Sequence, residues 1–319
     1  MTVFFPVSGV EVFPLIPFVV AFVVSFFTSM GGVSGAFLLL PFQVSVLGFT
    51  SPAVSSTNLV YNIVAIPSGV YRYIKEGRMA WPLAWVIVVG TLPGVIIGAI
   101  VRIKYLPDPK HFKFFAGCVL LYIGIRLLYG LTEKGGSNSV KTKELEERFN
   151  KRASQFRNGA GSVDKHEALV KTVNFSLTNY TYSFYGETFS FNTVSLFALT
   201  FVVGIVGGVY GIGGGAIIAP FLVAFFGLPV YTIAGAALLG TFITSVAGVI
   251  VYTVIELYFS GTGLAIAPDW ALGALFGAGG FAGMYLGARL QKYMPAKVIK
   301  VILALAITFL AVKYIAGIF

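Results

Sequence analysis

Two glycine clusters and the polar residues near them are the part of the sequence that could do chemistry. One cluster lies at 31–35 and the other at 211–215, and each interrupts an apolar stretch. If a half-helix begins after each cluster, its unpaired N–H groups and its dipole could hold an anion without a basic side chain. Neutral hydroxyl and amide groups in the next segments would add donors. The candidate anion-binding residues are therefore Gly32, Ser34, Gly35, Ser56, Thr57, Asn58, Asn62, Gly211, Gly213, Gly214, Gly215, Thr241 and Thr244.

The spacing of the polar residues fits this interpretation. Asn58 and Asn62 are four residues apart and share a helix face, and Thr241 and Thr244 are also placed on one face. Gln43, near the end of its segment, is expected at the membrane interface. A second interpretation stays open, because small residues allow close helix packing and buried polar groups join helices with about 1 kcal/mol each. Packing is the interpretation we favour for four other glycines, namely Gly94, Gly98, Gly283 and Gly287.

Other kinds of site lack their residues. No Lys-Ser/Thr pair completes a nucleotide-binding loop after either glycine cluster. His111 and His166 lie outside the apolar segments, and no paired carboxylates or metal-ligand cluster is evident. The single cysteine, Cys118, is expected to be a small buried apolar side chain. We therefore expect no cofactor, no metal and no enzymatic activity. An anion channel and a membrane-embedded enzyme are the alternatives to a transporter.

The composition requires a lipid environment. Hydrophobic residues make up 57% of the 319 residues and charged residues only 11%, against about 25% charged in soluble domains. The mean hydropathy of +0.89 agrees, so the bilayer must solvate much of the surface. The net charge of +10 is carried in loops and a linker and does not indicate nucleic-acid binding. The residues up to Val12 contain no Lys or Arg, so no cleavable signal peptide is expected.

The fold class is predicted as an all-α polytopic membrane protein with two repeats of about five membrane segments each. Membrane repeat 1 covers 1–130, a soluble linker covers 131–191, and membrane repeat 2 covers 192–319. Within the linker we expect a charged helix over Val140–Phe156 and a β-hairpin over Phe175–Phe191. The ten apolar segments are Phe13–Met30, Ala36–Leu47, Pro52–Tyr71, Trp81–Val101, Phe112–Tyr129, Thr193–Tyr210, Ala216–Phe226, Tyr231–Leu257, Trp270–Gln291 and Ala296–Ile315.

The repeat itself is visible in the sequence. At an offset of 179 residues, the pair Pro41-Phe42 falls on Pro220-Phe221, and the glycine clusters coincide. Such duplications are common in transporters, whose binding sites lie at the repeat interface, where paired helices are broken by glycine. Inverted repeats with the basic linker inside are favoured. The basic residues of the first half flank loops on opposite sides, so the positive-inside rule alone does not settle the orientation.

These residues resemble the sulfite exporter TauE/SafE (TSUP) family of membrane anion transporters. The resemblance rests on the stretch from Tyr210 to Pro220, on its degenerate copy from Gly31 to Pro41, and on the order of the segments. It implies a multi-pass protein of the cytoplasmic membrane that carries a small sulfur-containing anion, such as sulfite, thiosulfate or an organosulfonate. The implied partners are this anion and the lipid bilayer. A coupling ion and the oligomeric state are left open.

Overall fold

The computed structural model describes residues 2–30, 33–129, 170–176, 178–184, 187–226, 228, 230–259, 261, 263–291 and 296–316. The predicted helix Val140–Phe156 and the candidate residue Gly32 lie outside the described residues. Within them the chain is mostly helical. The ten helices are α1 (Leu15–Met30), α2 (Ala36–Ser45), α3 (Ala53–Lys75), α4 (Trp81–Lys104), α5 (Pro109–Tyr129), α6 (Thr193–Tyr210), α7 (Ile218–Phe226), α8 (Val230–Phe259), α9 (Trp270–Leu290) and α10 (Ala296–Ala316).

Four of these helices are long and apolar enough to cross a membrane. They are α4, α6, α9 and the part of α8 from Thr232 to Phe259. The short apolar helices α2 and α7, of 10 and 9 residues, each follow a glycine cluster. A helix that short spans about 15 Å, half of the hydrocarbon layer. The chain is therefore an integral membrane protein in which two of the helices are half-length.

Glycines join the two halves of the chain. On α4, a Cβ at Gly94 would lie 2.5 Å from the Phe201 carbonyl oxygen of α6. On α9, a Cβ at Gly283 would overlap the Phe22 carbonyl of α1. Gly98 and Gly287, one turn later, face α6 and α1 in the same way. Glycine is needed in these helices because their backbones lie too close together for any side chain.

Contacts along the helices give their relative directions. Gly235 at the start of α8 lies against Tyr73 at the end of α3, and Gly248 lies against Leu59. The two helices therefore run antiparallel. In contrast, α9 runs parallel to α1, and α4 runs parallel to α6.

Two small sheets lie outside the helices. Strands β1 (Val3–Phe5) and β2 (Val10–Val12) form an antiparallel hairpin that the sequence analysis did not anticipate. In the linker, β3 (Lys171–Phe175), β4 (Asn179–Phe184) and β5 (Glu187–Asn192) form an antiparallel sheet in the order β3-β4-β5. The hairpin β4-β5 falls where a hairpin was expected, and β3 adds a third strand. Tyr182 of β4 is buried and lies 2.9 Å from the Thr232 hydroxyl of α8.

The expectation that the Cys118 side chain is buried is wrong. Cys118 is exposed on the surface of α5 rather than buried. In a membrane helix an outward apolar position contacts lipid, so an apolar sequence context does not separate the core face from the lipid face.

Candidate functional site

The described residues of both glycine clusters meet beside the first half of α3. In the first, Ser34 is 0% exposed, and its hydroxyl donates to Asn62 Oδ1. The same hydroxyl accepts the Ala36 N–H at 3.2 Å, which occupies one of the first donors of α2. Gly35 follows Ser34 and lies against the Tyr61 hydroxyl of α3. The first break is therefore fixed to α3 by side chains.

The second break has a different backbone. Gly211 ends α6 at φ +76°, and Gly213 has φ +80°. Both values are in the left-handed region that residues with a side chain rarely adopt. The Gly214 N–H donates to the Thr244 hydroxyl at 3.0 Å. Among the described residues, no hydrogen bond engages the N–H groups of Gly213 and Gly215. Two backbone donors next to α7 are thus left for another acceptor.

Asn58 connects the two breaks. Its Nδ2 donates to the Ala36 carbonyl of the first break and to the Gly211 carbonyl of the second, both at 3.0 Å. Its Oδ1 accepts from Gln43 Nε2 at 3.2 Å. The side chain is 0% exposed. One amide on α3 therefore connects the start of α2 with the end of α6 and fixes the relative position of the two breaks.

Asn62, one turn further along α3, makes a second connection of this kind. Its Nδ2 donates to the Ile212 carbonyl at 2.9 Å and to the Ser245 hydroxyl of α8 at 3.1 Å. Its Oδ1 accepts from Ser34. The two asparagines thus satisfy the carbonyls of Gly211 and Ile212, which follow the end of α6 and have no helical partner.

The two threonines lie across the break from the asparagines. Thr241 donates its hydroxyl proton to the Ala237 carbonyl at 2.8 Å, and Thr244 donates to the Gly240 carbonyl at 2.7 Å. Both protons are therefore used within α8. Toward the break these side chains present hydroxyl oxygen, which accepts hydrogen bonds, as Thr244 does from Gly214.

Ser56 and Thr57 lie apart from the break. The Ser56 hydroxyl donates to the Ile266 carbonyl at 2.7 Å, and Thr57 Oγ1 accepts from the Asp269 N–H at 2.8 Å. Both contacts hold the loop between α8 and α9. The structure brings the other candidate residues it describes together around the breaks, and leaves these two on another face of α3.

Several residues of the polar centre were not among the candidates. Gln43 was expected at the membrane interface, and this was wrong, because it is 0% exposed and donates to Asn58. Ser245 is buried and hydrogen-bonded to Asn62. Tyr210, at the end of α6, donates to the Phe37 carbonyl of α2 at 3.1 Å. The spacing of Ser245, four residues beyond Thr241, could have placed it on the same face.

The glycines of the second break are also needed for packing. A Cβ at Gly214 would lie 2.4 Å from Thr91 Cβ and 2.9 Å from its hydroxyl, and a Cβ at Gly215 would lie 2.7 Å from the Thr241 nitrogen. Glycine substitutions here would disturb α4 and α8 as well as any bound anion. The side chains around the break are therefore better probes of its function than its glycines.

Taken with its broken helices, this buried polar centre defines an integral membrane protein with backbone donor groups enclosed among its helices. The family model for the sulfite exporter TauE/SafE matches residues 17–314. The chain belongs to this family, whose members are transporters rather than enzymes. Neither curated proteins nor solved structures gave a significant match.

Proposed function

We propose that the protein is a secondary transporter of small sulfur-containing anions in the cytoplasmic membrane, with sulfite as the first candidate substrate. The observation that carries the proposal is the pair of N–H groups at Gly213 and Gly215, which have no partner among the described residues and precede the half-helix α7 beside two buried asparagines. An anion there would meet backbone donors and the positive end of the α7 dipole. The anion binds between the two breaks, and Asn58 and Asn62 hold these breaks in position.

The second break carries more of the binding in this proposal than the first. Ser34 holds the Ala36 N–H of the first break, whereas the N–H of its counterpart Gly215 has no partner among the described residues, and the second break has more glycine. Ser34 and Ala36 stand where the second copy has Gly213 and Gly215. The duplicated breaks have therefore diverged at these positions, and the additional glycines would let an anion approach the backbone of the second break more closely.

The two halves are proposed to be inverted repeats. The antiparallel contact of α3 with α8 supports this, since these helices are counterparts at the offset of 179 residues. The matching contacts of Gly94 with Phe201 and of Gly283 with Phe22 fit the same relation. Counterparts that run in opposite directions require a two-fold axis in the membrane plane, as in other transporters with inverted repeats.

The helix directions also support one orientation for the basic loops of the first half, which the positive-inside rule alone left open. The end of α3, the linker sheet and the end of α9 all lie on one side, and this side carries Arg72, Lys75, Arg289 and the basic linker. We place this side in the cytoplasm by the positive-inside rule. The end of α4 and the loop between α8 and α9 then lie outside. The basic residues near Lys110 do not follow the positive-inside rule, because they then lie on the outer side.

This orientation predicts which cysteines an impermeant thiol reagent reaches in intact cells. In a Cys118→Ala background, Lys110→Cys at the exposed start of α5 should be labelled from outside. Thr188→Cys, exposed on β5 of the linker, should react only after the cells are permeabilised. Labelling of Thr188→Cys in intact cells, with Lys110→Cys protected, would reverse the assigned orientation.

The transport function is tested with purified protein in liposomes. Labelled sulfite should enter liposomes that contain the protein when no ATP is supplied, and protein-free liposomes are the control. Unlabelled sulfite or thiosulfate should compete with the labelled anion for uptake. Conductance in planar bilayers should stay at background, because a carrier moves one anion per conformational cycle. Uptake that depends on supplied ATP, or large single-channel currents, would contradict secondary transport.

A further inference from the structure

Arg102 is a basic side chain enclosed by protein near the end of α4. It is 0% exposed. Its Nη1 donates to the Leu106 carbonyl, and its Cζ lies 3.8 Å from the centroid of the Phe112 ring. These contacts leave Nε and Nη2 buried without a hydrogen-bond partner. Among the described residues, no carboxylate forms an ion pair with it.

An unpaired buried charge needs compensation. Removing an ionised group from water costs several kcal/mol unless a counter-charge and hydrogen bonds replace the water. The Nε and Nη2 groups form one edge of the guanidinium, and this edge fits two oxygens of an oxyanion. The partner that would satisfy Arg102 is therefore a small oxyanion.

A second unpartnered group lies in the same region. The Ser55 hydroxyl of α3 is 0% exposed and, among the described residues, makes no hydrogen bond of normal geometry. Ser55 packs against Gly211 of the second break. Tyr252 of α8 is close to both Ser55 and Arg102, and its own hydroxyl donates to the Gly208 carbonyl at 3.2 Å. The free donors of Ser55 and Arg102 thus border the end of α6.

Aromatic contacts connect Arg102 with the second break. The Phe112 ring, which lies under the guanidinium, has its centroid 6.3 Å from that of Tyr210. Tyr210 is the residue directly before Gly211 and reaches Phe37 of α2. Arg102 therefore lies beyond the break, toward the side of the membrane where α4 ends.

We infer that Arg102, with Ser55, forms a second binding site for a small oxyanion, separate from the site between the glycine breaks. The anion accepts from Nε and Nη2 of Arg102 and from the Ser55 hydroxyl. It occupies this site before it enters, or after it leaves, the second break. The inference rests on the proposed function for the identity of the anion.

The opposite side of the protein does not offer an equivalent site. At the offset of 189 residues that aligns Gly94 with Gly283, the counterpart of Arg102 is Gln291. Its Oε1 accepts from Arg78 Nη1 at 3.0 Å. Arg78 in turn forms an ion pair with Glu76. The buried cation on that side is neutralised within the protein, so the second site is expected on one side only.

Calorimetric titration of the purified protein with sulfite tests the second site. The wild type should show two saturable binding events, and Arg102→Gln should show one. Lys104→Gln is the matched control, because it removes the same charge from an exposed position two residues away; it should keep both events. Ser55→Ala should weaken the event lost in Arg102→Gln by about tenfold.

The outcomes separate the second site from the proposed substrate. If Arg102→Gln still shows both binding events unchanged, the second site is overturned. If Arg102→Gln does not fold, two unchanged binding events in Ser55→Ala would overturn it instead. Ser55→Ala removes a small hydroxyl that makes no hydrogen bond of normal geometry with the described residues, so this variant should fold. If sulfite does not bind but thiosulfate or sulfate gives an event that depends on Arg102, the site stands and the substrate is another oxyanion. Failure of all three anions to bind would overturn it.

Discussion

Replacement of Gly98 by leucine is expected to abolish the folded, monodisperse form of the protein. A Cβ at this position would overlap the Ile205 carbonyl and lie 2.7 Å from the Val209 nitrogen. Both are backbone atoms of α6, which cannot rotate away as a side chain can. Overpacking against movable side chains costs about 1–3 kcal/mol, so we expect at least about 3 kcal/mol here. Size-exclusion profiles and melting temperatures in mild detergent measure the effect.

The matched control is Gly261→Leu. Nothing lies within 4 Å of an added Cβ at Gly261, so this variant should elute and melt like the wild type. Gly287→Leu, which meets the Phe26 carbonyl of α1, should behave like Gly98→Leu. A wild-type melting temperature for Gly98→Leu would contradict the close contact of α4 with α6.

The helices could be predicted from the sequence because the bilayer imposes a length of apolar residues. The predicted segment Trp81–Val101 and the observed Trp81–Lys104 differ only at the end, where the helix continues beyond the apolar residues. The same holds for α3, which extends to Lys75. Hydropathy identifies the part of a helix that lies in lipid, and hydrogen bonding carries the helix a turn further.

The N-terminal hairpin could not be predicted. Its strands have three residues each, too few for an alternating pattern. Its position depends on a distant residue, since the Ser8 hydroxyl and N–H both donate to Asp269. Contacts of this kind follow from the tertiary fold and leave no local signal.

The polar centre was predicted in part. The glycine breaks and the asparagine pair were identified from spacing, but the hydrogen-bond partners of Asn58 were not. Which carbonyls lack a helical partner depends on how α2 and α6 meet. Successive residues on a helix differ by about 100°, so Thr57 and Asn58 cannot face the same break. Helical geometry could have separated them before the structure was known.

Asn58→Ala is expected to have the largest effect on transport. It removes the amide that joins the Ala36 and Gly211 carbonyls and leaves Gln43 without its acceptor. Each buried polar group left without a partner costs about 1–3 kcal/mol. The two breaks should then lose their fixed separation, and sulfite uptake should fall by at least about tenfold, since 1.4 kcal/mol corresponds to a factor of about ten.

Ser68→Ala is the matched control for this variant. Ser68 is on the same helix, and its buried hydroxyl donates across to the Phe281 carbonyl of α9 at 2.8 Å. Its loss should lower the melting temperature without a comparable loss of uptake per folded molecule. The pair thus separates a general loss of stability from a defect at the breaks.

The most direct test of an anion held between the two breaks is sulfite uptake by liposomes containing equal amounts of folded wild-type, Asn58→Ala or Ser68→Ala protein. We expect uptake by the wild type and by Ser68→Ala, and its loss in Asn58→Ala. Uptake by Asn58→Ala at the wild-type rate would contradict this expectation and place the anion pathway elsewhere in the protein.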